Sequence, residues 1–128
     1  MHPLKMKKGV TILEILVVLI IIGILVALAL PNFGKTKESA LEKEAQANLR
    51  LISAAEKIYY MENDFYFTNT DLATINSNLK LSLPAENWNY KIDPDTGFTG
   101  KAQRVSDAAN TWCIDPAVDD PYKTNCSW

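Results

Sequence analysis

GVTILEILVVLIIIGILVALALP, residues 9–31, is the stretch from which the rest of the chain is read. Residues 10–30 form an apolar run of 21 residues in which Glu14 carries the only charge. As a helix the run is roughly 30 Å long, the thickness of a bilayer's hydrocarbon core. A carboxylate inside such a run is costly, about 2.5–3.5 kcal/mol at mid-membrane and less near an interface. Its presence therefore implies a use. Lys5, Lys7 and Lys8 precede the run, and Gly9 stands between them and the first apolar residue. The lysine cluster predicts a cytoplasmic N-terminus and a C-terminal domain on the far side of the membrane, an asymmetry reduced by Lys35 and Lys37.

These landmarks resemble the N-terminus of type IV prepilins and type II secretion pseudopilins. Members of that family have a short basic leader ending in Gly, cleavage after it, and Glu at the fifth mature position. Gly follows at the fourteenth and Pro at the twenty-second. Here the leader is residues 1–9, with cleavage between Gly9 and Val10, and the three mature landmarks are Glu14, Gly23 and Pro31. Val10 departs from the Phe usual at the first mature position. The resemblance covers about the first quarter of the chain. It implies N-methylation of the new Val10 amine, assembly into a type IV pilus or related filament, and Glu14 as the counter-charge that sets subunit register. It implies a prepilin peptidase, an inner-membrane assembly platform with a cytoplasmic ATPase, membrane lipid before assembly, and other copies or related pilins as partners. The precursor would lie in the inner membrane, and the product in an extracellular filament or a periplasmic pseudopilus.

Other readings of the same run are a secretory signal peptide and a plain signal anchor. Ala27 and Ala29 offer an A-x-A cleavage site, but the run exceeds the 7–15 residues usual for a secretory core. A plain anchor explains the lysines and the span but neither Gly9 nor Glu14. The expected organisation is a leader (1–9), a transmembrane or filament-core helix (10–31) and an extracytoplasmic head (32–128). Without the leader the chain keeps ten basic and fifteen acidic side chains, net −5. That balance disfavours nucleic acid as a partner.

Pro31 lacks an amide hydrogen and predicts a kink or interruption. Gly23 costs roughly 1 kcal/mol against Ala in a helix, so the segment between the two is expected to melt most readily. Helical periodicity resumes at residues 35–61. Leu41, Ala45, Leu49, Ile52 and Tyr59 form a stripe that Leu51, Ala55 and Ile58 widen, and Asn63 and Asp64 end it. Asn69 or Thr70 is expected to cap a short helix through Asp71, Leu72 and Ile75. Leu79, Leu81 and Leu83 alternate as an extended stretch ended by Pro84. Residues 87–93 alternate as a strand with Trp88, Tyr90 and Ile92 on one face. A turn at 94–97, a return strand at 98–105, a turn at SDAAN (106–110) and a third strand at 111–115 follow. The fold class is α+β. It matches the pilin fold that the resemblance implies, a long N-terminal helix on a small antiparallel sheet of three or four strands.

Cys113 and Cys126 are the only cysteines. In an extracytoplasmic domain such a pair reads as a disulfide, with two free buried thiols as the alternative. It resembles the disulfide-bounded C-terminal region of many type IV pilins. Asp115, Asp119 and Asp120 fall inside that loop as candidate calcium ligands, against the simpler reading of a solvated acidic loop. Some pseudopilins bind calcium near the C-terminus. No other cofactor is implied, and zinc is disfavoured because the sole histidine, His2, lies in the leader. Tyr59, Tyr60, Phe65, Tyr66 and Phe67 read as packing at the helix end, or as stacking for contact or charge transport. No catalytic set emerges, so an enzyme is not expected. A type II secretion pseudopilin and a membrane-anchored binding domain that never assembles are the alternatives to a pilus subunit.

Overall fold

A computed structural model of the protein describes residue 3 and residues 8–128, without the side chains of Pro31 and Asn32. His2, Lys5 and Lys7, on which part of the sequence reading rests, lie outside the described residues. The chain divides into two compact units, residues 1–38 and 39–128.

Helix α1, Ile12–Asn63, runs through both. It begins where Thr11 accepts a hydrogen bond through Oγ1 from the Glu14 amide, 3.2 Å. The first unit is otherwise bare helix. Ile12–Leu30 has a mean hydropathy of 3.2 and buries none of its side chains within the protein. Helix is the stable form for such a segment in lipid, because each backbone donor and acceptor must be satisfied internally. The interruption expected at Pro31 is not seen, and the helical backbone passes through residues 31–34. A proline removes a single N–H, and the turns on either side keep theirs.

The second unit builds its core on the far end of the same helix. Ala45, Leu49 and Ile52 are fully buried against Trp88, Tyr90, Ile92, Phe98, Ala102 and Ile114. The expected widening of the stripe holds only for Ala55, because Leu51 and Ile58 are more than half exposed. Asp64 adopts a left-handed φ of 64° and ends α1. Helix α2, Leu72–Leu79, is capped by Asp71, whose carboxylate accepts from the Thr74 amide at 2.9 Å. The expected caps are thus corrected. Asn69 instead accepts from the Asp71 amide and helps hold the cap residue. Leu79 is the last residue of α2 and not the start of an extended run. Lys80 turns the chain at φ 56°, and the Asn76 side chain clasps Leu83 through both its amide and its carbonyl.

Strands β1 (Trp88–Asp93), β2 (Thr99–Arg104) and β3 (Asp107–Ile114) form one antiparallel sheet in that order. The expected inward face of β1, Trp88, Tyr90 and Ile92, is buried. The second turn is shorter than SDAAN. Asp107 already belongs to β3, and a register shift at Gln103–Arg104 lets Arg104 pair with Asp107. A bulge supplies the bend that a longer loop would otherwise have to make. Helix and sheet approach closely at Gly100, where an added Cβ would meet Ile114 at 3.1 Å and Ile52 at 3.3 Å. Trp88 Nε1 donates to the Leu41 carbonyl, and Asn48 donates to the Tyr90 hydroxyl.

Candidate functional site

The N-terminal landmarks come together over one helical turn. Val10 stands outside the helix, Thr11 caps it, and Glu14 lies in its first turn. Thr11 and Glu14 have the T-x-x-E spacing of a capping box, a signal present in the sequence itself. Val10, Glu14, Ile15, Val18 and Leu19 line an apolar cleft of about 220 Å³. Glu14 is exposed in this cleft among apolar side chains, so within a single chain it has water as its partner. At Gly9 and Gly23 a Cβ would meet nothing of this chain within 4 Å. Their small size is therefore not required by packing within the described residues.

The second grouping is the C-terminal loop. Cys113 and Cys126 form a disulfide with Cα atoms 5.7 Å apart. Inside it Tyr122 pairs with Cys113 through two backbone hydrogen bonds. Asp115 accepts from the Tyr122 hydroxyl and the Ala117 amide, both at 2.8 Å. Burial, and then the Asp115 carboxylate, pushes the Tyr122 hydroxyl up to about 12. The other two aspartates face elsewhere. Asp120 pairs with Arg50 at 2.8 Å and Asp119 with Lys57 at 3.6 Å. Lys123 reaches Glu42 at 2.7 Å and lies over the Trp112 ring. The hydrogen bond from Lys123 holds the Glu42 carboxyl below its usual range. The loop is thus strapped along α1 at positions 42, 50 and 57. Among the described residues, no three His, Cys, Asp or Glu side chains are gathered as a metal group.

The aromatic cluster packs the end of α1. Tyr59 contacts Phe65 and Phe67, Tyr60 contacts Tyr66, and Tyr66 contacts Phe98. Beneath it lies a group that sequence reasoning missed. Glu56 is fully buried, and its Oε2 accepts from the Phe67 amide at 2.9 Å while its Oε1 has no partner. Burial pushes its carboxyl up to about 7. The signal was present, because the step of seven from Ile52 to Tyr59 passes over position 56 on the same apolar stripe.

The motif described as "Prokaryotic N-terminal methylation motif" matches residues 4–30. The chain is 41% identical over 60 residues to the Type IV major pilin protein PilA of Myxococcus xanthus, covering 47% of this chain and 27% of that protein. It is 33% identical over 90 residues to the Type II secretion system core protein G of Escherichia coli, covering 70% and 62%. It is 35% identical over 69 residues to the Competence protein ComGC of Halalkalibacterium halodurans, covering 54% and 68%. The match thus spans less than two thirds of the first two relatives. No solved structure matches the chain. A methylation motif on the apolar helix, an α+β head and relatives of these three kinds agree, and the chain belongs to the family of type IV pilins and pseudopilins.

Proposed function

We propose that this chain is a structural subunit of a type IV pilus or related filament. It is made as a precursor anchored in the inner membrane by residues 10–30, cleaved after Gly9 by a prepilin peptidase, and methylated on the Val10 amine. An assembly platform driven by a cytoplasmic ATPase then extracts it from the membrane, and the segment between Gly23 and Pro31 is where the helix yields to strain. The role is structural, with no catalysis by the subunit itself.

The observation that carries this reading is the spacing of Val10 and Glu14 about one apolar cleft at the start of α1. Cleavage converts Val10 into a positively charged terminus beside that cleft. In a filament core, an amine or a carboxylate left alone costs several kcal/mol, on the order of 3–5 when one partner of a buried pair is removed. Only an axial stagger that brings Glu14 of one copy to Val10 of another satisfies both. The pair therefore selects register. Within one chain the two groups also lie one turn apart, which compensates the charge while the subunit waits in the membrane.

Gly9 supplies the test of processing. Since nothing among the described residues crowds it, a requirement for Gly there arises in the peptidase. Gly9→Leu should leave the full 128-residue precursor in the membrane, read by intact-mass spectrometry. Normal trimming of that variant, with a new N-terminus at Val10, would reject this cleavage site.

A type II secretion pseudopilin is the second reading. The relative matched over the largest share of this chain among those described above favours it. The two separate on a deletion strain. Loss of sheared surface filaments with secretion intact identifies the pilus, and loss of secreted proteins with surface filaments intact identifies the pseudopilus.

A further inference from the structure

Among the described residues, Glu56 is the only carboxylate that the head takes wholly out of water. Helical spacing sets it on the core stripe, four residues beyond Ile52 and three short of Tyr59. The Phe67 amide donates to its Oε2 at 2.9 Å. Its Oε1 is enclosed and has no partner. An acid in such a site is held neutral, because ionising it forfeits hydration that one amide does not replace. The amide favours the charged form, but burial outweighs it and pushes the carboxyl up to about 7.

No cation on the surrounding elements offsets that burial. On α1, Lys57 turns to Asp119 and Arg50 to Asp120, while Glu62 lines the cleft beside Leu79 with Lys80. Helix α2 carries no ionisable side chain, and Asp71 at its start holds Thr74. On the sheet, Lys91 and Lys101 both pair with Asp93, on the face opposite Tyr90 and Ile92. In the segment that crosses Glu56, Asp64 is exposed, and Tyr66 stacks on Tyr60 and Phe98.

That segment is tied down at its two ends. The Asp64 amide donates to the Tyr60 carbonyl at 2.8 Å, and Asn69 exchanges two backbone hydrogen bonds with Ile92. Between those anchors, residues 65–68 have no hydrogen bond to another backbone group. The Phe67 amide reaches Glu56, and ring contacts of Phe65, Tyr66 and Phe67 supply the remaining hold. Lifting residues 65–68 therefore breaks one hydrogen bond and admits water to both carboxylate oxygens.

We propose that residues 65–68 are a proton-gated lid, shut over Glu56 while its carboxyl is protonated and lifted when the proton leaves, with the anchors at Asp64 and Asn69 intact. The lid is a property of the single head and does not depend on the filament reading. Its sign follows from linkage. With the lid open the hydrated carboxyl titrates near its ordinary 4.5, and with the lid shut near 7. Opening is therefore least below about pH 4.5, grows as pH rises toward 7 and levels off above it.

The test is amide hydrogen exchange on the full chain in detergent at pH 5 and pH 8, with each rate divided by the intrinsic rate at that pH. Protection of residues 65–68 should be at least tenfold lower at pH 8. It should also be indifferent to urea below the unfolding transition, because a local opening exposes little surface. Protection of β1 and β2 should fall as urea is added. Glu56→Gln keeps an acceptor for the Phe67 amide and should give residues 65–68 the same protection at both pH values. Equal protection of the wild-type segment at pH 5 and pH 8 would overturn the lid, as would a fall in Glu56→Gln as large as in wild type. A fall that grows with urea in step with β1 and β2 would also overturn it, since exchange then reports unfolding of the whole head. Where Glu56→Gln does not fold, the wild-type pH and urea series decide between these outcomes.

Discussion

The two ends of α1 are one helix with two kinds of surface. In residues 12–30 nothing of the protein covers the side chains, and Glu14 is the one charge on an otherwise apolar surface. In residues 39–63 the surface is divided into a buried stripe and an exposed face of charged and scattered apolar side chains. The first end makes almost no contacts with its own chain, so its residues answer to what lies outside the chain. The second end is selected for the fold. A substitution in the first should therefore change assembly without changing stability, and a substitution in the buried stripe of the second should lower stability.

The largest expected effect belongs to Glu14. Glu14→Gln should insert and be cleaved normally, since the span becomes more apolar and Gly9 is untouched. Expressed without wild-type subunits, it should produce at least tenfold fewer filaments by electron microscopy, because each Val10 amine then lacks its counter-charge. The thermal unfolding of the head should be unchanged. Wild-type filament number and length would show that Glu14 does not set register.

Next comes the disulfide, on the other side of the comparison. Cys113→Ser with Cys126→Ser should lower head stability by about 3 kcal/mol, measured by denaturant unfolding of the full chain in detergent. Leader cleavage should persist. Ready alkylation of both thiols in native, unreduced wild-type protein would contradict the bond.

Glu56 gives the head a pH dependence that the apolar end lacks. Its folded-state carboxyl sits near 7, above the ordinary value of 4.5. A raised carboxyl pKa means that the folded state prefers the protonated form. This contribution is fully present below about pH 4.5 and is lost as pH rises through about 7. The wild-type head should lose roughly 2–3 kcal/mol across that window. Glu56→Gln keeps an acceptor for the Phe67 amide and should flatten the profile, with a gain over wild type at pH 8. A wild-type profile that rises with pH over this range would exclude the buried carboxyl as its cause.

The smallest effect is expected at the strap. Arg50 and Asp120 form a pair whose side chains are 49% and 83% exposed, so solvent screens it. Arg50→Gln should cost under about 1 kcal/mol, and the difference from wild type should vanish in high salt. A salt-independent loss would mean that the strap holds by packing instead of charge.

What the linear order determined is whatever depends on near neighbours. The length of the apolar run, the landmarks from Gly9 to Pro31, the alternation of β1 and the cysteine pair are read from spacing alone. The fold class follows from them with a sheet of three or four strands, and the structure has three. What only the tertiary structure decided depends on which surface meets which. Leu51 and Ile58 are apolar and read as part of the stripe, yet the sheet covers one side of α1 and leaves them out. The aspartates look like a cluster in sequence, but Lys57 and Arg50, more than sixty residues earlier, draw two of them away from Asp115. Asp71 caps α2 through the Thr74 amide, while Asn69 is paired with Ile92 of β1, a contact that only the folded chain makes. Glu56 is an ordinary charged residue by composition. It becomes a raised, buried carboxyl only when the loop at residues 65–67 closes over it, because desolvation is a property of the packed surroundings and not of the residue.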